Sequence, residues 1–220
     1  MQSMIWIRRK EMIKGIDVSS WQGNINFVNV KASGVQFVIL KAGGSDGNAS
    51  APFYTDKRFR ENYDKASQAG LSIGAYYFVG KKCKSSVDGI ADAQRFYNII
   101  KDCKLDYPVY IDFEAPDSSN KQGNTDAVNA FCLYMESLGY YVGIYASDIS
   151  GFKDRLYLEQ LTRFDKWVAR YGSEPKYVKN WGIWQSSSKG NIPGIAGHVD
   201  LDYSRNDYSG IIKKYHLNGF

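Results

Sequence analysis

No apolar run in this chain is long enough to span a membrane, which excludes an integral helical membrane protein. Cysteine is sparse. Cys83, Cys103 and Cys132 are too few and too scattered for a disulfide framework, although an oxidising setting would allow Cys83 and Cys103 to pair. Cys132 falls in a helical apolar pattern and reads as a buried thiol. With two histidines and no Cys-x-x-Cys motif, the usual ligands of a structural zinc site are missing, so no metal and no cofactor is expected. Basic residues do not cluster as a nucleic-acid surface would, and the net charge of +5 is mild. It would ease approach to an anionic polymer, but a solvated surface explains it equally. The opening Met1–Lys10 lacks the apolar stretch of a signal peptide and reads as a short arm. Linkers and low-complexity breaks are also absent. The expected organisation is an arm over residues 1–13 and one domain over residues 14–220.

Aromatic residues are what the chain has in excess, at 15% of the sequence with 17 tyrosines and five tryptophans. Sugars expose apolar C–H faces, so an aromatic-rich cleft suits carbohydrate; most of these rings serve a core equally well. Strand-like segments recur at Lys14–Ser19, Phe37–Ala42, Ser72–Phe78, Pro108–Glu114, Tyr141–Ala146, Lys166–Arg170, Trp181–Gln185 and Gly197–Leu201. Helical spacing separates many of them, over Lys57–Gly70, Ser86–Lys101, Asn124–Leu138 and, more weakly, Phe152–Phe164. Alternation of this kind predicts parallel pairing, and eight strands predict closure. The last connections are too short or too rich in Gly, Ser and Pro for full helices. The expected fold is therefore α/β, an irregular (β/α) TIM-like barrel of eight strands with its last helices short or missing.

The chemistry concentrates in Tyr107-Pro-Val-Tyr-Ile-Asp112-Phe-Glu114. Side chains on a strand alternate faces, so Tyr110, Asp112 and Glu114 share one side. Two acids this close oppose joint ionisation, which raises one pKa towards neutrality. One protonated and one ionised carboxyl is what glycosidic bond cleavage requires. Same-face strand residues lie roughly 6.5–7 Å apart, which leaves retaining and inverting routes open. In a barrel, chemistry gathers where strands end at the C-terminal face. Asp17 closes the first strand there, and alternation turns His198, Asp200 and Asp202 of the last strand inward beside it. Any one of these acids reads alone as a loop or helix cap. Joint convergence is far harder to obtain by chance.

With these segments in view, the chain resembles glycoside hydrolase family 25, the muramidases of phage lysins and bacterial autolysins. The resemblance rests on Lys14-Gly-Ile-Asp-Val-Ser-Ser-Trp-Gln-Gly23, Phe37-Val-Ile-Leu-Lys-Ala42, Ile73-Gly-Ala-Tyr-Tyr-Phe78, Pro108–Glu114, Val142-Gly-Ile-Tyr145, Lys166-Trp-Val-Ala-Arg170, Trp184-Gln185 and His198-Val-Asp-Leu-Asp202, in family order. It implies cleavage of the β-1,4 bond between N-acetylmuramic acid and N-acetylglucosamine in peptidoglycan. By that resemblance Glu114 is the general acid, and Asp112 orients the substrate N-acetyl group or water. Asp17 and Asp200 complete the acidic floor. Lys41, Tyr76, Tyr145, Gln185 and Asp202 line the cleft, with Trp184 the best of the tryptophans as a sugar platform. Gly43-Gly44-Ser45 replaces the usual Thr-Glu-Gly, Tyr77 stands for a common His, Asn26-Phe27 for Asp-Trp, and Asp202 for a frequent Asn. A different glycosidase such as a chitinase, or a wall-binding module without activity, are the competing readings. The expected partner is the peptidoglycan glycan strand, met by a monomer with no nucleic acid. The protein would be made in the cytoplasm and act at the cell wall, as a holin-released lysin does.

Overall fold

The computed structural model describes residues 12–47 and 52–220. Most of the expected arm thus lies outside the described residues, and Ile13 already belongs to the first strand. The strands are β1 (Ile13–Val18), β2 (Phe37–Gly44), β3 (Tyr54–Thr55), β4 (Ser72–Phe78), β5 (Val109–Asp112), β6 (Val142–Ser147), β7 (Asp165–Ala169), β8 (Ile183–Gly190) and β9 (Val199–Ser204). Helices are α1 (Phe27–Ala32), α2 (Phe59–Gln68), α3 (Ser86–Ile100), α4 (Lys121–Ser137) and α5 (Tyr208–Lys214). The eight expected strands are all present, Ser72–Phe78 with the expected ends and the others with shifted ones, and they close into a barrel in the order β1-β9-β8-β7-β6-β5-β4-β2, with β1 pairing β2. The two-residue β3 folds back on the end of β2. It was not anticipated, and neither were α1 and α5.

All-parallel pairing does not hold. From β1 through β2 and β4 to β8 neighbours run parallel, but β9 is antiparallel to both β8 and β1. The reason is the length of the connection. Only residues 191–198 separate β8 from β9, and a parallel return needs a crossover of about a dozen residues or more. A second correction concerns Phe152–Phe164, which is not a helix. The chain there makes one wide turn over Asp148–Lys153 and a single tight turn over Leu158–Gln160. Side chains of α4 take up backbone groups in this segment: Thr125 Oγ1 accepts from Tyr157 N at 2.9 Å, and Asn124 donates to Arg155 O at 3.3 Å.

Outward-facing strand residues such as Ile16, Val38, Leu40, Ile111 and Ile144 form one apolar layer with the helices. Helices α3 and α4 meet where Gly89 lies against the backbone of Ala127, closer than any side chain would permit. Inside the barrel, the end where β1–β8 begin is plugged by Phe37, Ile39, Tyr107, Tyr110, Trp167 and Ile183, with Tyr208 and Ile212 of α5 closing it below. Phe37 stacks on Tyr107 at 4.4 Å, and Gly15 leaves the room its ring needs. The opposite end of the interior is where the acids lie. Between β7 and β8 no helix forms. Buried Asp148 anchors that crossover by accepting from Lys176 N at 2.8 Å, Val178 N at 3.0 Å and the Arg170 guanidinium at 3.1 Å. Burial opposes its ionisation, yet those donors hold its carboxyl below the usual range. All three cysteines are buried free thiols, so Cys83 and Cys103 are not paired.

Candidate active site

Strand register assembles the site. Asp17 is opposite Asp200 across β1 and β9, while Asp202, one inward position deeper, is opposite Gly15 and Gln185. Because β9 runs antiparallel, its start and not its end reaches the mouth. That corrects the placement of Asp200 and Asp202 at a strand's C-terminal end: Asp200 is half-buried at the level of Asp17, and Asp202 is fully buried below. His198 precedes β9 and is exposed, so it is not among the buried groups of the site. Across the barrel, Asp112 ends β5 beside Phe78 on one side and Tyr145 on the other. Glu114 follows in the loop and is exposed, with its carbonyl held by Arg155 at 2.6 Å.

A continuous polar chain links the walls. Tyr145 donates to Gln185 Oε1 at 2.9 Å, and Gln185 Nε2 donates to Asp17 Oδ2 at 2.8 Å. Asp17 and Asp202 lie side by side with Asp202 Oδ2 left without a hydrogen-bond partner, and Trp167 Nε1 donates to Asp202 Oδ1 at 2.8 Å. Tyr76 lies edge-on to Trp167 at 5.9 Å. Lys41 Nζ sits over the rings of Phe78, Tyr54 and Tyr76 at 4.8, 5.7 and 5.9 Å. These are cation–π contacts beside the acids.

The electrostatics follow from burial and like charge. Burial, then the charges of Asp202 and Asp200, lifts Asp17 well above the usual carboxylate range. Asp202 is pushed up to about 8 by burial, with Asp200 adding and the Trp167 hydrogen bond opposing. Asp200 rises to about 6 through burial and then the charge of Glu114. Asp112 is raised strongly by burial and then by Glu114, with Lys41 opposing. Glu114 is raised by lost solvation, opposed by Lys41 and Arg155. The Asp112–Glu114 couple therefore releases its two protons in separate steps. Asp112 Oδ1 is buried without a hydrogen-bond partner.

Trp184 is not part of this assembly. It alternates with inward Gln185, so its ring lies outside the barrel between Trp181 and Tyr203, and its indole donates to Arg170 O at 2.7 Å. Trp167 packs in the barrel plug and is also the inward tryptophan that holds Asp202. Its alternation with outward Val168 was the available signal. Arg155 and Tyr54 come from loop and hairpin positions with no periodic signal at all.

The glycosyl hydrolases family 25 model matches residues 16–195, most of the barrel. The chain belongs to that family. This family 25 chain is 33% identical to an autolytic lysozyme of Clostridium acetobutylicum over 191 residues, 86% of its own length and 55% of that protein's. It thus spans little more than half of that relative. Lysozyme M1 of Streptomyces globisporus is 28% identical over 213 residues, covering 90% of this chain and 68% of the other. A crystal structure of the bacterial lysozyme from Streptomyces coelicolor superposes with a TM-score of 0.69 at 27% identity, over 88% of this chain and 92% of that one.

Proposed function

We infer that this family 25 chain is a peptidoglycan lysozyme, an N-acetylmuramidase that hydrolyses the β-1,4 bond between N-acetylmuramic acid and N-acetylglucosamine in bacterial cell walls. The observation that carries the reading is the Asp112–Glu114 couple at the barrel mouth, facing Asp17 and Asp200 with Lys41 between them, in a chain two of whose relatives are named lysozymes. Glu114 is the general acid. It stands at the solvent side where a leaving glycosidic oxygen arrives, and lost solvation raises its carboxyl above the ordinary range, which favours the protonated form an acid catalyst needs. Asp112 is the assisting carboxylate. Its unpartnered buried oxygen supports a role in receiving a donor from the substrate, such as the N-acetyl N–H or a water. Asp17 and Asp200 hold the sugar and set the field in which Glu114 titrates.

Glu114→Gln tests this. The amide keeps the shape and cannot donate the proton, so lysis of purified walls should fall by about 10³-fold while the thermal midpoint holds. Activity near that of the wild type would remove Glu114 from the role. Release of reducing sugar from peptidoglycan but not from chitin separates the muramidase from a chitinase.

A further inference from the structure

Beside the acidic mouth a second feature runs over the outside of the barrel. A cavity of about 710 Å³ is walled by Phe78 and by Ala115, the residue after Glu114. Through Pro52 and Lys82 it shares walls with a smaller cavity of about 210 Å³. Phe53 and Arg95 are in turn common to that one and a cavity of about 820 Å³ between α2, α3 and the β3 hairpin. The three adjoin one another as a groove along the outside of the barrel, and the first lies next to the residue that follows Glu114.

Its charge is one-sided. The carboxylates along it are engaged within the protein: Asp46 lies against the Tyr54 hydroxyl, Asp56 accepts from Ser20 N and Arg58 N, Asp88 from the Ser85 hydroxyl, and Asp92 from Ser45 and Arg95. Lys57, Arg60, Lys81 and Lys82 enter no ion pair among the described residues. Between the cations lie exposed Phe53 and buried Phe59. Tyr77, only 1% exposed, forms part of the wall of the largest cavity with a hydroxyl that has no partner. An aromatic floor with free cations and an orphan hydroxyl suits an extended ligand that carries carboxylates and small apolar groups.

We propose that this groove is a subsite for the peptide stem of peptidoglycan, and the proposal rests on the muramidase reading above. The stem branches from the muramic acid beside the scissile bond, carries free carboxylates and methyl groups, and at five residues reaches about 17 Å when extended. It would leave the sugar at Glu114, enter past Ala115 and Phe78, and lay its carboxylates along Lys82 and Arg60.

The test compares kcat/KM on uncrosslinked glycan strands that keep their stems with the same strands stripped of stems by an amidase. The wild-type chain should prefer the stem-bearing strands about tenfold, and the preference should shrink at high salt. Lys82→Glu combined with Arg60→Glu, both at exposed positions, should remove most of that preference and leave cleavage of stripped strands unchanged. The charge-conserving pair Lys82→Arg and Arg60→Lys should keep it. Equal cleavage of both strands by the wild type, or an unchanged preference in the charge-reversed variant, would overturn the subsite. Equal loss on both strands in that variant would also overturn it, by tying these cations to the chemistry. Cleavage of neither strand by the wild type would overturn the muramidase reading and the subsite with it.

Discussion

The two ends of the barrel interior handle a buried acid in opposite ways. At the closed end Asp165 accepts from the Tyr208 hydroxyl and from Lys166 N, so burial raises its pKa but its donors pull it back. At the open end five acids gather, and several of them have each other as neighbours. Asp17 lies against Asp202, whose Oδ2 has no hydrogen-bond partner, and Asp112 faces Glu114 with one oxygen unpartnered. A satisfied acid contributes to the fold. A group of incompletely satisfied acids sits at a cost to the fold, and such sites are where substrate completes the hydrogen bonding.

Trp167 joins the two ends, and its loss should be the largest blow to the contrast. Its ring packs on Tyr145 at 4.3 Å and Tyr110 at 5.3 Å below, and its indole holds Asp202 above. Trp167→Ala should cost about 3–5 kcal/mol in urea unfolding, since it leaves both a cavity and an unpaired buried carboxyl. A loss under about 1 kcal/mol would show that the ends are independent.

Paired substitutions sharpen the comparison next. Asp112→Asn should lower kcat by about 10²-fold or more with stability unchanged or raised. Asp165→Asn should do the reverse, costing about 1–3 kcal/mol of stability with activity per folded molecule unchanged. The same direction of effect from both would break the distinction drawn here.

Asp202→Asn probes the proton held within the acid group. The folded-state pKa of Asp202 is raised to about 8, so its contribution favours the fold below the ordinary carboxylate range and is lost as pH rises through the folded value. Wild-type stability should therefore fall by on the order of 2 kcal/mol between about pH 5 and pH 9, and the amide should flatten that slope. The measurement is the unfolding midpoint across that range.

The smallest effect expected is that of Lys41→Met. Lys41 lowers the pKa of both Asp112 and Glu114, so its removal should move the alkaline limb of kcat/KM upwards by up to about one unit. A limb that stays in place would mean that the lysine only packs on its aromatic neighbours.

Much of the barrel was legible in advance because strands buried on both faces read as apolar β-branched runs, and helices flanking them show a clear period. Inward Asp17, Asp112, Asp200 and Asp202 were legible by alternation for the same reason. The errors arose where periodicity carries no information. Phe152–Phe164 has helical spacing, but tertiary hydrogen bonds from α4 claim its backbone. Trp184 has the chemistry of a sugar platform, yet its parity with Gln185 faces it outward.

Sequence alone determined the rhythm of strands and helices, the parity of each inward residue and the pairing of Asp112 with Glu114, because these depend only on local spacing. Tertiary structure decided that β9 reverses, that Asp200 reaches the mouth while Asp202 lies beneath it, and that Lys41 stands between the two acid groups. Those outcomes depend on how far a loop spans and on which strands become neighbours, and local spacing holds neither.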